Sequence, residues 1–381
     1  MLGAAVIAQV SISGFQQGLP ALGPILQTTF SLDTSGTGAI LGVGSLGTAV
    51  AVLIWGRLTD RTTDRFVAVF GLLLASASLG LAGFAAHIDS LPGLMLALFA
   101  TGICAAAPTV ALTKSIFIAF AAGRRMGLAF GIRQAAVPLG AAAAGVFLPI
   151  LAISRGLAAA LWGLAAMLLF AALVVYRAVH GERRTNQGAP LGPTPWAAIA
   201  PMLTASSLYT LTQIGVVSLL TLYLVNARGW SPPAAATVFT GVMVSAILLR
   251  ILVGIAADRW PHQRLWLFKM AGIITATLLV IAALTDPAPI SGIIVVIAGI
   301  TGMGWNALAF TLTVSLVPES RVGTSQGALN ASLFVAWGLS PILTGFLVET
   351  FSWSLAWIVL AFLAIIGAAT ARTHSFARQV P

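Results

Sequence analysis

Charge is what this sequence has least of. Asp, Glu, Lys and Arg make up 7% of its 381 residues, against roughly a quarter in an average soluble domain. So few charges cannot cover a water-facing surface, which excludes a soluble globular fold. Disorder is excluded too, because disordered chains pair low hydrophobicity with high charge. Here 59% of residues are hydrophobic and the mean hydropathy is +1.02. Cys104 is the only cysteine, so no intrachain disulfide is possible and the redox compartment is unreadable. It lies in an apolar run and reads as a small packing residue. No cleavable signal peptide is evident, since the first hydrophobic run is too long for one. The 9 acidic residues and 4 histidines all fall in loops or at the ends of apolar runs. No buried nucleophile and base, and no metal-ligand set, can therefore be assembled inside the runs. Neither an enzyme nor a cofactor is expected.

What is there is a series of long apolar runs. A bilayer core of ~30 Å takes about 20 helical residues to cross, and the runs lack the short alternating segments of a membrane β-barrel. Twelve spans follow: 2–28, 35–57, 66–87, 91–119, 126–151 and 156–177, then 197–225, 233–256, 265–285, 289–316, 323–348 and 352–371. The long polar stretch from His180 to Pro195 separates two sets of six. The expected fold is an all-α membrane protein. Its twelve transmembrane helices form two pseudo-symmetric six-helix bundles, 1–178 and 196–381, joined by a linker at 179–195 and enclosing a central cavity.

The net charge of +10 would suggest nucleic acid in a soluble protein. Here topology accounts for it, and no nucleic-acid partner is expected. With the N-terminus in the cytoplasm, 14 of the 19 basic residues fall in cytoplasmic segments and 2, Arg155 and Arg228, in outer loops. Such a bias orients a membrane protein. Both termini and the linker are expected in the cytoplasm, with the chain multi-pass in the inner (plasma) membrane and monomeric.

The halves repeat. Gly56, Asp60 and Arg61 after span 2 recur as Gly254, Asp258 and Arg259 after span 8, at an offset of 198. Arg125, Gly127 and Gly131 opening span 5 recur as Arg321, Gly323 and Gly327 opening span 11, at an offset of 196. Six-helix repeats are a transporter architecture. Over nearly its full length the chain resembles a major facilitator superfamily transporter of the bacterial organic-anion or cyanate/nitrate type. Gly56-x-x-x-Asp60-Arg61-x-x-Asp64-Arg65 resembles that family's loop 2–3 signature, departing from it at Thr63 and Asp64. The resemblance implies that spans 1, 4, 7 and 10 line the cavity. It implies also that spans 2, 5, 8 and 11 join the halves and that 3, 6, 9 and 12 face lipid. Asp60, Arg61, Asp258, Arg259, Arg125 and Arg321 are then gating residues. Each aspartate is expected beside a helix start, where a carboxylate is favoured by ~0.3–1 kcal/mol. Gly127, Gly131, Gly323 and Gly327 are expected to permit close helix packing.

Three cations lie inside spans: Lys114, Arg133 and Arg250. Counted from the span ends, the arginines are ~12 Å deep and Lys114 ~15 Å deep. A charge at mid-bilayer costs ~3 kcal/mol or more, and no acidic residue shares these depths. A bound anion would relieve the repulsion; a cationic drug would not. The expected substrate is a small anion, foremost an organic carboxylate, with protons as candidate co-substrate through Lys114. Snorkelling by Lys114 and carbonyl binding by Arg250 are the bland alternatives. By resemblance, Arg250 also matches the span-8 arginine that binds carboxylate in monocarboxylate and oxalate/formate carriers. Gln16, Gln17, Gln134, Tyr209, Gln213, Asn306 and Asn330 could complete the site, or could merely hold helices together. An inorganic-anion carrier and a drug/proton efflux pump are the competing readings. Trp55, Trp196, Trp230, Trp260 and Trp353 fit an interfacial belt.

Overall fold

In a bilayer every backbone polar group must find a partner within the protein, so apolar runs become helices. The computed structural model describes residues 1–120, 126–179, 195–286, 289–318 and 321–372. Eleven segments there are long and apolar enough to cross a membrane. A twelfth precedes them as a broken helix, Leu2–Gln16, the 3-10 turn Leu19–Leu22 and Gly23–Thr29. The first set continues with span 2 at Thr34–Arg61, span 3 at Asp64–His87, span 4 at Leu91–Phe120, span 5 at Met126–Arg155 and span 6 at Leu157–Ala178. The second set begins with span 7 at Trp196–Leu222, extended by a π-turn at Tyr223–Ala227, and span 8 at Pro232–Arg259. Span 9 is Arg264–Leu284, span 10 is Ile290–Thr301 plus Asn306–Ser315, span 11 is Val322–Thr350 and span 12 is Trp353–Thr370. Side-chain caps start several of them: Asp33 Oδ1 accepts from Gly36 N at 2.6 Å, and Ser352 Oγ from Leu355 N at 3.1 Å.

Two spans expected to be continuous are interrupted. In span 1, Pro20 and Pro24 lack the N–H groups that would continue the ladder. The Pro20 carbonyl faces Pro24 one turn on and accepts instead from the Gly23 N–H that closes the 3-10 turn. Thr221 Oγ1 of span 7 donates to the same carbonyl at 2.6 Å. In span 10 the helix stops at Thr301 and restarts at Asn306, across Gly302 and Gly304. This frees the Met303 carbonyl.

Each half has its own buried core. One is built mostly from spans 1 to 6 and takes in Leu219 and Leu222 of span 7; the other is built mostly from spans 7 to 12 and takes in Ala21, Ala141 and Ala142 of the first set. Span 2 packs on span 11 and span 5 on span 8, as the resemblance implies. The first pair is close because neither helix has bulk there: a Cβ on Gly38 would lie 2.2 Å from Pro341 O, and one on Gly42 would lie 2.3 Å from Gly338 O. Spans 3, 6, 9 and 12 expose Phe70, Phe170, Ile274 and Phe362 outward. Trp196, Trp230 and Trp260 are exposed. Trp55 departs from the expected belt: it is buried and donates to Ile103 O at 2.7 Å.

The end of the molecule carrying Arg57, Arg61 and Arg259 is called the basic end here, and the opposite one the far end. At the far end the halves are latched. Thr34 N donates to Glu349 Oε2 at 3.0 Å, and Asn226 Nδ2 donates to Gln27 Oε1 at 2.8 Å. At the basic end, Gly254, Gly323 and Gly327 have no described atom within 4 Å of where a Cβ would sit. The close packing expected at Gly323 and Gly327 is not seen among the described residues. The side chains of Gly127 and Gly131's stretch lie outside the described residues.

A buried cluster ties the far-end loops of the second half together. Arg228, 5% exposed, pairs with Asp286. It donates from Nε and Nη2 to Tyr223 Oη at 3.0 and 2.9 Å. Tyr223 Oη meets Ser291 Oγ, and Ser354 Oγ donates to Asp286 Oδ2, both at 2.9 Å. Removing one partner of a buried pair leaves the other charge uncompensated. Asp286→Asn should therefore cost about 2 kcal/mol, discounted for the partial exposure of Asp286. Thermal unfolding in detergent checks this; an unchanged midpoint would show that water screens the pair.

Candidate functional site

The site is organised by a proline. Pro138 in span 5 has no N–H to give to the carbonyl four residues back, and that carbonyl belongs to Gln134. Arg250 of span 8 supplies the missing donor from the other half: its Nη1 donates to Gln134 O at 3.2 Å. Its Nε donates to Met303 O at 3.3 Å, the carbonyl released by the break in span 10. One guanidinium thus joins both halves through two carbonyls that helix breaks have freed. A guanidinium has five N–H donors, so donors remain.

Arg133 is one residue before Gln134 and is 7% exposed. Its Nη2 donates to Thr109 O of span 4 at 3.1 Å. Its Nε is buried without an acceptor among the described residues. Neither arginine meets a carboxylate there: the described ion pairs are Arg228–Asp286 and Arg264–Asp258, both at span ends. Arg250 stands at the contact between spans 5 and 8 and Arg133 at the contact of span 5 with span 4, both without described counter-charge.

The polar residues divide. Asn306 Nδ2 donates to Gln213 Oε1 at 3.1 Å and lies 3.4 Å from Met303 O, so this pair adjoins Arg250 across the span-10 break. Gln17 is buried with Oε1 unpartnered among the described residues, as is Trp305 Nε1. Gln16 turns to span 2, donating to Thr48 Oγ1 at 3.1 Å. Tyr209 is not brought to the arginines: it donates to Phe268 O at 3.3 Å and stacks on the Phe268 ring in the second core. Asn330 donates to Gln326 O of its own helix at 2.9 Å. Gln134 is half-buried and contributes its carbonyl.

The Lys114 and Asp60 side chains, and all of Arg125, lie outside the described residues. Of the other residues expected to gate, Arg61 and Arg259 are exposed and Arg321 is half-buried. Asp258 is 85% exposed and 3.5 Å from Arg264 Nη2. Sequence reasoning missed the freed carbonyls of Gln134 and Met303, although the Gln134–Pro138 spacing was available to show the first.

The arrangement offers cationic hydrogen-bond donors between two bundles. It contains no described metal-ligand group of three or more His, Cys, Asp or Glu residues. The Major Facilitator Superfamily profile matches residues 5–341. The "Uncharacterized MFS-type transporter Rv2994" of Mycobacterium tuberculosis (strain ATCC 25618 / H37Rv) is 28% identical over 350 residues, covering 90% of this chain and 78% of that one. MFS-type transporter MT3072 of strain CDC 1551 / Oshkosh is 27% identical over the same shares. Among solved structures, a bacterial homolog to the human lysosomal transporter Spinster, inward-facing and occupied, superposes with TM-score 0.79 at 16% identity. It covers 97% of this chain and 95% of its own. Its inward-facing, unoccupied form gives 0.78 at 17% with the same coverage. At that identity the likeness is one of fold. With the profile spanning most of its length, this all-helical, multi-pass membrane chain belongs to the Major Facilitator Superfamily and is a transporter, not an enzyme.

Proposed function

We propose that the transporter carries a small anion, foremost an organic carboxylate, by alternating access with proton symport or anion exchange. Arg133 is the observation that carries this reading. A buried guanidinium with an orphaned Nε and no described counter-charge is costly, and a bound anion offsets that cost. Arginine also suits a planar carboxylate, which it can grip with two N–H groups. The substrate would sit against Arg133 and Arg250, with Gln17, Gln213 and Asn306 as further polar contacts. An anion at Arg250 would take the N–H groups that its bonds to Gln134 O and Met303 O leave free. In the opposite conformer the far-end latch opens. Asp60 and Asp258 then approach the starts of spans 11 and 5, where helix dipoles favour them. The bias of basic residues supports placing the basic end and both termini in the cytoplasm, with the chain a monomer of the inner membrane. The two cores, each drawn mostly from one set of six spans, support division into bundles 1–178 and 196–381 around a linker at 179–195.

Thermal unfolding of the purified protein tests the substrate class. A ligand at one hundred times its Kd stabilises by about 2.7 kcal/mol. Carboxylates should raise the midpoint, and organic cations should not. Stabilisation by a cation instead, or by nitrate and cyanate but no carboxylate, rejects the proposed substrate.

Lys114 is proposed to carry the proton. An arginine stays protonated at any usable pH, whereas a desolvated lysine can release its proton. Lys114→Arg should keep anion counterflow in liposomes and lose pH-driven accumulation. Full pH-driven accumulation in this variant would remove Lys114 from the coupling.

A further inference from the structure

Span 3 and the end of span 6 form a groove of about 280 Å³ lined by Arg65, Phe66, Val69, Phe70, Leu73 and Tyr176. We infer that this groove, apart from the transport site, holds one anionic glycerophospholipid from the leaflet at the basic end, its phosphate on Arg65 and one acyl chain along the span-3 face.

The face is built for a chain. Phe66, Val69, Phe70 and Leu73 recur at helical spacing on one side of span 3. From Arg65 to Leu73 the helix rises ~12 Å, most of the depth of one leaflet of a ~30 Å hydrocarbon core. Phe66 and Phe70 are stacked with centroids 5.5 Å apart and are 52% and 41% exposed. On a multi-pass membrane protein, an exposed aromatic face on an outward span meets acyl chains.

The mouth is built for an anion. Arg65 lies over the Tyr176 ring, 4.3 Å from its centroid, which holds the guanidinium flat at the groove entrance. Its sequence neighbour Asp64 is engaged with span 4, where Asp64 Oδ2 accepts from Ser115 Oγ at 2.9 Å. Among the described residues no acidic side chain lines the groove. Arg61 and Arg177 are exposed at the same end. Positive charge at headgroup level selects anionic over zwitterionic lipid.

Native mass spectrometry of the full chain, released from detergent with added lipid, tests this. The probes are phosphatidylglycerol, phosphatidylcholine and soluble glycerol 3-phosphate. The wild-type protein should hold one phosphatidylglycerol more tightly than phosphatidylcholine, and glycerol 3-phosphate should not displace it. Arg65→Gln should weaken that copy about fivefold, the equivalent of about 1 kcal/mol. Arg155→Gln, at the far end, should leave it unchanged. Leu73→Trp fills the chain slot, leaves the charge in place and should also release the lipid, which decides the matter if Arg65→Gln does not fold. Equal retention of both lipids, displacement by glycerol 3-phosphate, or full retention by Leu73→Trp would overturn the inference. So would a dimer that Arg65→Gln disperses, because the groove would then belong to a second copy.

Discussion

Arg133→Met should make the protein more stable and leave it unable to transport. The side chain is 7% exposed and has one described hydrogen bond, to Thr109 O. Its buried charge is therefore compensated less than its desolvation requires, and such groups are often improved by an apolar replacement of similar volume. Methionine is flexible enough to fill the space. Thr109 O keeps a second donor, the Thr113 hydroxyl, so losing the arginine does not orphan it. A net gain of about 1 kcal/mol is expected, seen as a higher unfolding midpoint. Transport should go the other way. Two hydrogen bonds to a charged partner, at roughly 1.5–3 kcal/mol each, are worth at least about a hundredfold. Anion counterflow in liposomes should fall to background. Wild-type counterflow would remove Arg133 from the site, and loss of stability with loss of transport would make it a structural residue.

The long-range plan of the fold was legible because it depends on coarse quantities. Run length gave the spans, and the offset repeats gave the pairing of span 2 with 11 and span 5 with 8 through the family resemblance. Local direction was harder. In water, an apolar stripe tells which face of a helix is buried. In lipid both faces are apolar, and that signal is lost. Tyr209 and Gln213 show the result. They are four residues apart and share a face by spacing, yet Gln213 reaches span 10 and Tyr209 reaches span 9. The helix breaks were written in the sequence, as Pro20 and Pro24 in span 1 and Gly302 and Gly304 in span 10. Hydropathy alone runs straight across them. Gly323 and Gly327 meet no described neighbour, and a sequence does not say which conformer is closed at which end.

The second large effect is expected at Arg250, where positioning and binding can be separated. Arg250→Met removes the donor to Gln134 O and one donor to Met303 O. Asn306 still approaches Met303 O, at 3.4 Å, so the main loss falls on Gln134 O. A buried carbonyl left unpaired costs about 1–3 kcal/mol, and uptake should fall about a hundredfold with the loss of the bidentate grip. Pro138→Ala provides the control, since alanine restores the N–H that the Gln134 carbonyl lacks. In the double variant Gln134 O bonds within its own helix, and the stability lost in Arg250→Met should largely return, a coupling of about 1 kcal/mol. Transport should not return, because no restored backbone bond replaces a guanidinium facing an anion. Arg250→Lys should fall between, keeping the charge without the fork. If the double variant recovers uptake along with stability, Arg250 is a clasp between the halves and nothing more. The anion is then held from the first half, by Arg133, and the span-8 arginine acts on transport only through how firmly the two bundles hold each other.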